Sequence, residues 1–107
     1  MSTTDRVAMS ASPIQAEVEF DQQKSAANKE KHGIDFIEAQ ALWKDPHLIE
    51  TLAELRFLTI GKINGKHWSA VVTRRSGRLR IISVRRARKD EAARYTSAAV
   101  QERAGNE

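Results

Sequence analysis

The sequence predicts an α+β domain, in which an antiparallel β-meander of three to four strands packs on two N-terminal helices and a C-terminal helix. Two helix-start signals, at Asp21 and Asp35, lie in the first third of the chain. Stretches rich in β-branched residues follow, and the turn dipeptides Asn64-Gly65 and Ser76-Gly77 separate them. A polar stretch over residues 89–102 has the composition of a last helix. Strands that follow the helices as a group, rather than alternating with them, indicate this fold class.

Residues 1–16 are predicted to be a disordered tail, and residues 17–103 to form one domain. The tail is polar and lacks the apolar region of a secretory signal. The chain has 107 residues, the length of one typical domain. It contains no run of 18 apolar residues and no cysteine, so we expect no transmembrane helix, no disulfides and a cytoplasmic location.

The first helix is predicted to follow a short strand at residues 18–20. Asp21 is a suitable N-cap, the helix extends to about His32, and Gly33 fits the C′ position, which often takes a left-handed conformation. Lys24, Asn28, Lys31 and His32 share one face of this helix. Because histidine titrates near neutral pH, His32 is a candidate acid or base, although a histidine near a helix end often only caps carbonyls.

The second helix is predicted to begin with a capping box formed by Asp35 and Glu38. It is expected to end near Lys44, because the residue before Pro46 avoids the helical conformation. Strands are then predicted over residues 48–52, 55–63, 66–74 and 79–84.

The two turn dipeptides predict which residues lie side by side. If each is a two-residue loop, Arg56 faces Thr73 and Thr73 faces Arg80, so the three form one row on one face of the sheet. Two arginines across a shared threonine repel each other unless an anion lies between them, and arginine binds phosphate in a bidentate manner. The alternative is that an Asp or Glu from a neighbouring element neutralises them.

The same register assigns the other arginines to faces. Arg75, Arg78 and Arg86, together with Val84, are expected on the face of the row, and Arg85 on the opposite face. Residues 66–94 contain ten basic and two acidic residues, a balance of +8, whereas the rest of the chain has a balance of −4. This division of charge predicts a polyanionic partner, although a solvated arginine-rich surface has the same composition.

Other chemistries lack their motifs. His32, His47 and His67 do not have the close spacing of metal ligands, and the chain has neither a glycine-rich phosphate loop nor a nucleophile-elbow motif. We therefore expect no cofactor and no metal. If the protein is a nuclease, it is a metal-independent one. Such enzymes use the RNA 2′-hydroxyl as the nucleophile, so DNA should be spared.

Four stretches of the sequence, taken in order, are similar to one known family. They are VEFDQQKSAANKEKHGIDFIEAQALWKDP, LRFLTIG, VVTRRSGRLRIISVRRA and KDEAARY, which together cover most of residues 18–95. In this order they resemble the BrnT family of toxins. Val72 departs from the family pattern, in which an aromatic residue or histidine is common at that position.

The resemblance implies a RelE-like fold and an endoribonuclease that arrests translation. It also implies a co-expressed BrnA-like antitoxin of the ribbon–helix–helix type, through which alone the toxin would reach DNA. Matching motif positions carry over the following polar residues: Lys24, His32, Arg56, Thr73, Arg75, Arg80 and Arg85.

Charge and geometry together give the predicted roles. Arg56 and Arg80 are expected to bind the scissile phosphate, with His32 brought close by the first helix as acid or base. The predicted RNA-binding residues are Lys24, Lys31, Thr73, Arg75, Arg78, Arg85 and Arg86. Two alternatives remain: a non-catalytic module that binds nucleic acid or protein through the same basic face, and an adaptor for an acidic protein that has no affinity for RNA.

Overall fold

The computed structural model describes residues 7–10 and 17–105. Within these ranges a six-stranded sheet has the strand order β1-β3-β4-β5-β6-β2. In chain order the elements are β1 (Val7–Ser10), β2 (Val18–Glu19), α1 (Gln22–His32), a 3₁₀-helix (Glu38–Trp43), β3 (His47–Ala53), β4 (Arg56–Ile63), β5 (Lys66–Arg75), β6 (Arg78–Arg86) and α2 (Lys89–Gly105). None of the described helices is long and apolar enough to cross a membrane.

The α+β class and the antiparallel meander, β3 to β6, are confirmed, but the predicted strand count is wrong. Two short strands extend the meander to six strands, since β1 pairs antiparallel with β3 and β2 pairs parallel with β6. The strand β2 lies within the short strand predicted at residues 18–20, whereas β1 was not predicted, because a strand of four residues carries almost no periodic signal. Val7–Ser10 lies within the stretch predicted as a tail, and residues 1–6 and 11–16 of that stretch lie outside the described residues.

The first helix forms as predicted. The Asp21 carboxylate accepts hydrogen bonds from the backbone N–H groups of Gln23 (2.8 Å) and Lys24 (3.0 Å). Gly33 ends the helix with a left-handed φ of 84°. The helix is polar, and its buried contacts come from Ser25 and Asn28 rather than from an apolar stripe.

The predicted second α-helix is instead a 3₁₀-helix. The capping box itself is present, because the Glu38 N–H donates to Asp35 Oδ1 (2.7 Å) and the Asp35 N–H donates to Glu38 Oε1 (2.9 Å). However, the buried side chains that follow, Phe36, Ala39 and Leu42, are spaced three residues apart. This spacing matches the three residues per turn of a 3₁₀-helix, which places all three against the sheet.

Both predicted hairpin turns are confirmed. Asn64-Gly65 and Ser76-Gly77 each have two successive positive φ values (52° and 80°; 50° and 77°), as a type I′ turn requires. The register that follows is the predicted one at this end of the sheet, since Arg56 pairs with Thr73 and Thr73 pairs with Arg80.

A β-bulge changes the register further along β6. Val72 pairs with Ile81 but Val71 pairs with Ser83, so Ile82 is an extra residue in β6. Because side chains alternate between faces, one extra residue reverses every later position of the strand. The predicted faces of Val84, Arg85 and Arg86 are therefore wrong.

We call the sheet face that carries Arg56, Thr73 and Arg80 the front face, and the other the back face. The back face is covered by α1 and the 3₁₀-helix and holds the larger core, whose buried sheet residues are Ala70, Val72, Leu79, Ile81 and Val84. On the front face, Leu48, Leu58 and Ile60 form a smaller core with Tyr95 and Ala98 of α2. Since α2 packs on β1, β3 and β4, it leaves the Ser76-Gly77 end of β5 and β6 open.

Candidate functional site

The open half of the front face carries four arginines around one threonine. Arg56 and Arg80 flank Thr73 in one row across β4, β5 and β6, and Arg75 pairs with Arg78 in the next row towards the turn. We call Arg56, Arg75, Arg78 and Arg80 the arginine cluster. All but Arg80 are exposed, and neighbouring strands lie about 4.8 Å apart, so Arg56 and Arg80 can contact one small anion placed over Thr73.

Carboxylates of the β2 edge partly neutralise the cluster, as the alternative interpretation anticipated. Glu19 lies beside Arg80 on the front face, with its Oε2 3.3 Å from Arg80 Nη1 and its Oε1 3.5 Å from Arg78 Nη1. Glu17 Oε1 is 3.0 Å from Arg78 Nε. Within residues 17–101, no carboxylate forms an ion pair with Arg56 or Arg75.

The cluster therefore keeps a positive charge that the described residues do not neutralise. Four guanidinium groups share two carboxylates, both on the Arg78 and Arg80 side, which leaves the Arg56 and Arg75 side uncompensated. An oxyanion placed between Arg56 and Arg80 would receive bidentate hydrogen bonds from guanidinium groups, the donors best suited to phosphate.

Arg85, a predicted RNA-binding residue, is half-buried and forms an ion pair with the buried carboxylate of Glu91. The bulge places it on the front face beneath α2. There its Nη1 is 2.8 Å from Glu91 Oε1, and its Nη2 is 2.8 Å from Glu91 Oε2. Glu91 Oε1 also accepts hydrogen bonds from Ser69 Oγ and from the Arg88 N–H, both at 2.9 Å. The guanidinium of Arg85 is the main cause that lowers the pKa of Glu91 to about 2.

Arg86 lies on the back face, away from the cluster. Its guanidinium lies over the Trp68 ring, 5.5 Å from the centroid, and its Nε donates to the carbonyl of His67.

Lys24 and Lys31 are exposed residues of α1. Lys24 lies in the first turn, near Asp21, whose pKa is lowered mainly by its backbone hydrogen bonds and to a smaller extent by the Lys24 and Arg80 charges.

The expectation that α1 brings His32 close to Arg56 and Arg80 is wrong. Asn28 ties α1 to the back-face side of the β6 edge, donating to the Val84 carbonyl (2.8 Å) and accepting from the Val84 N–H (3.1 Å). The helix begins beside Arg80 and extends away from it, so its eleven residues carry His32 about 16 Å along the sheet. There the adjacent Gly33 lines a cavity with Asn64 and Lys66 of the first hairpin turn.

The other two histidines also lie away from the cluster. His67 is next to the first hairpin turn, six residues and about 20 Å along β5 from Thr73. It packs on Tyr95, and burial, followed by the charges of Lys62 and Arg86, lowers its pKa. His47 is fully buried, with Nδ1 2.7 Å from the Asp45 carbonyl.

The sequence interpretation missed Glu17 and Glu19. It predicted the strand at residues 18–20, but nothing in a two-residue strand indicates that it pairs with β6, which begins about 60 residues later. Among the described residues, no group of three or more His, Cys, Asp or Glu side chains is arranged to hold a metal ion.

A family model described as "Ribonuclease toxin, BrnT, of type II toxin-antitoxin system" matches residues 20–91. The match includes all of α1, the 3₁₀-helix and the meander, and therefore the whole arginine cluster. Glu17 and Glu19 lie outside it. No curated protein and no solved structure matches the chain significantly.

Proposed function

Because the chain belongs to the BrnT family of ribonuclease toxins of type II toxin–antitoxin systems, we propose that its arginine cluster binds and cleaves RNA. The observation that supports this proposal is the row of Arg56, Thr73 and Arg80, in which two cationic residues flank Thr73 on one sheet face and only Arg80 is partly neutralised. A scissile phosphate at that point gains negative charge in the transition state. Preorganised guanidinium donors stabilise that charge.

We propose that cleavage proceeds without metal, through attack of the RNA 2′-hydroxyl on the adjacent phosphorus. The cationic groups offered by the open face are arginines, which supply the electrostatic stabilisation that a metal ion supplies in other nucleases. Arg75 and Arg78 extend the cationic surface towards the second hairpin turn and contact the backbone of the substrate. Lys24, near the start of α1, adds one more cation close to this surface.

Cleavage of cellular RNA would inhibit translation, and the protein would act in the cytoplasm under the control of a protein antitoxin. We propose an antitoxin of the BrnA-like, ribbon–helix–helix kind, through which the toxin reaches DNA only indirectly. On the same grounds we propose that the fold is related to that of RelE.

The test is cleavage of RNA by the purified protein in excess EDTA. We expect cleavage without added metal, block of the reaction by a single 2′-deoxy substitution at the cleaved position, and arrest of growth when the chain is produced alone in bacteria. Activity that disappears on chelation and returns with magnesium would contradict the metal-free mechanism. Salt-dependent binding of RNA without cleavage would favour the non-catalytic module.

A further inference from the structure

The carboxylate of Glu19 occupies a distinct position at the cluster. It extends the row of Arg56, Thr73 and Arg80 by one strand, directly beside Arg80, and its side chain is 27% exposed. The Glu17 side chain, in contrast, is 77% exposed, and the described ion pair of its carboxylate is with Arg78, at the outer edge. Of these two carboxylates, Glu19 is therefore the one that lies in the same row as the proposed phosphate position.

The reaction proposed for this site needs a group that removes the 2′-hydroxyl proton. The three histidines lie elsewhere in the fold, and arginine does not release its proton at physiological pH. Of the described side chains in the row, only that of Glu19 can accept a proton in this way. A strand spacing of about 4.8 Å places a phosphate held over Thr73 within reach of a glutamate two strands away.

We propose that Glu19 is the general base of the reaction, an inference that rests on the proposed ribonuclease function. A Glu19 oxygen takes the 2′-hydroxyl proton as the 2′-oxygen bonds to phosphorus. The bond from phosphorus to the 5′-oxygen breaks, the leaving oxygen takes a proton from water, and the resulting hydroxide takes the proton from Glu19, which restores the carboxylate. The products are a 2′,3′-cyclic phosphate and a 5′-hydroxyl, with no change of oxidation state.

Before RNA binds, the groups around Glu19 hold its carboxylate at the edge of the cluster. Arg78 and Arg80 of β6 contact it directly, Glu17 shares Arg78, and Asp21 lies near Arg80 at the start of α1. When the phosphate binds Arg80, the carboxylate is released towards the 2′-hydroxyl of the same nucleotide.

The experiment compares E19Q, E19D and E17Q with the wild type in single-turnover cleavage of an RNA oligonucleotide at saturating protein, across acidic and neutral pH. In the wild type we expect the rate to fall in the pH range where carboxylates take up a proton. E19Q should be slower by roughly 10²–10⁴-fold and lose this acidic limb, as expected for a missing base. E19D should keep the limb at an intermediate rate, because its carboxylate reaches less far.

The matched control is E17Q, which removes a carboxylate paired with the same cluster and should cleave at the wild-type rate. Binding of a 2′-deoxy oligonucleotide separates the base from a merely structural role, since E19Q should bind it as tightly as the wild type or tighter. Weaker binding by E19Q, or cleavage at the wild-type rate with an unchanged pH profile, would overturn the inference. A wild-type protein that cleaves no RNA would instead overturn the proposed function itself.

Discussion

The two halves of the front face both carry arginines, but they use them differently. In the covered half, Arg85 of β6 forms two 2.8 Å contacts with the Glu91 carboxylate, and Arg94 of the covering helix α2 contacts both oxygens of Glu50 at 2.7 and 3.1 Å. In the open half, Arg78 and Arg80 share Glu19 at 3.5 and 3.3 Å. Short bidentate pairs satisfy an arginine within the fold, whereas long shared contacts leave donors for a ligand. Residue type and sheet face alone do not separate the two uses.

Removing an arginine of the open half should abolish most of the activity. R56A or R80A should lower the cleavage rate by roughly 10²–10³-fold, comparable to the loss of one oxyanion donor. Melting temperatures should change little, because Arg56 is exposed and pairs with no described carboxylate, and the partly exposed Arg80–Glu19 pair contributes only about 1 kcal/mol. R56K should restore little activity, since lysine cannot form the bidentate contact. A melting temperature for R56A many degrees below that of the wild type would make Arg56 a structural residue.

The same substitution in the covered half should instead destabilise the protein. R85A leaves the Glu91 carboxylate buried without its cation, and breaking such a pair costs about 3 kcal/mol or more. Urea unfolding measures this loss, and cleavage by the remaining folded protein should occur at the wild-type rate. If R85A were as stable as the wild type but inactive, the distinction between the two halves would be wrong.

Acid should lower the free energy of unfolding, because it protonates Glu91 in the covered half. Its pKa is about 2 in the fold and near 4.5 otherwise, so its contribution is complete above pH 4.5 and is lost as the pH falls towards 2. The lost stability amounts to roughly 3 kcal/mol at most. The free energy of unfolding should therefore fall more steeply over this range in the wild type than in E91Q, and equal slopes would contradict the assignment.

The smallest effect concerns Arg78 at the rim of the open half. R78A should reduce the slope of log affinity against log salt by less than one unit, because each phosphate contact on a single strand contributes about 0.7. R86A is the control, since Arg86 lies on the back face and should leave the slope unchanged. If R86A lowered the slope as much as R78A, RNA would contact both faces of the sheet.

The sequence predicted the site where local chemistry determines geometry. Two type I′ turns fix the register of three strands, and this is sufficient to align Arg56, Thr73 and Arg80. The bulge at Ile82 has no such signature, because neither Ile82 nor its neighbours differ in type from ordinary strand residues. The faces predicted for Arg85 and Arg86 were therefore wrong, while those predicted before the bulge were correct.

Sequence patterns did not predict the contacts between segments that are distant along the chain. The Glu19 contact depends on the parallel pairing of β2 with β6, and the position of His32 depends on Asn28 reaching Val84, 56 residues away. A helix face that carries Lys24, Asn28 and His32 can be predicted from spacing. Which of these residues faces the sheet depends on the backbone groups of β6 that lie next to the helix.

The pair of hydrogen bonds between the Asn28 amide and Val84 also bears on self-association. The Asn28 side chain binds both the carbonyl and the N–H of Val84 in β6, as a neighbouring strand would. The strand β2 pairs only with the start of β6. An uncovered strand edge is a template for a second molecule. We expect N28A to form concentration-dependent dimers or aggregates, measurable by analytical ultracentrifugation, and an N28A protein that stays monomeric at all concentrations would contradict this role. Asn28, placed among the polar residues of a candidate catalytic face, would then serve to keep each molecule separate from its copies.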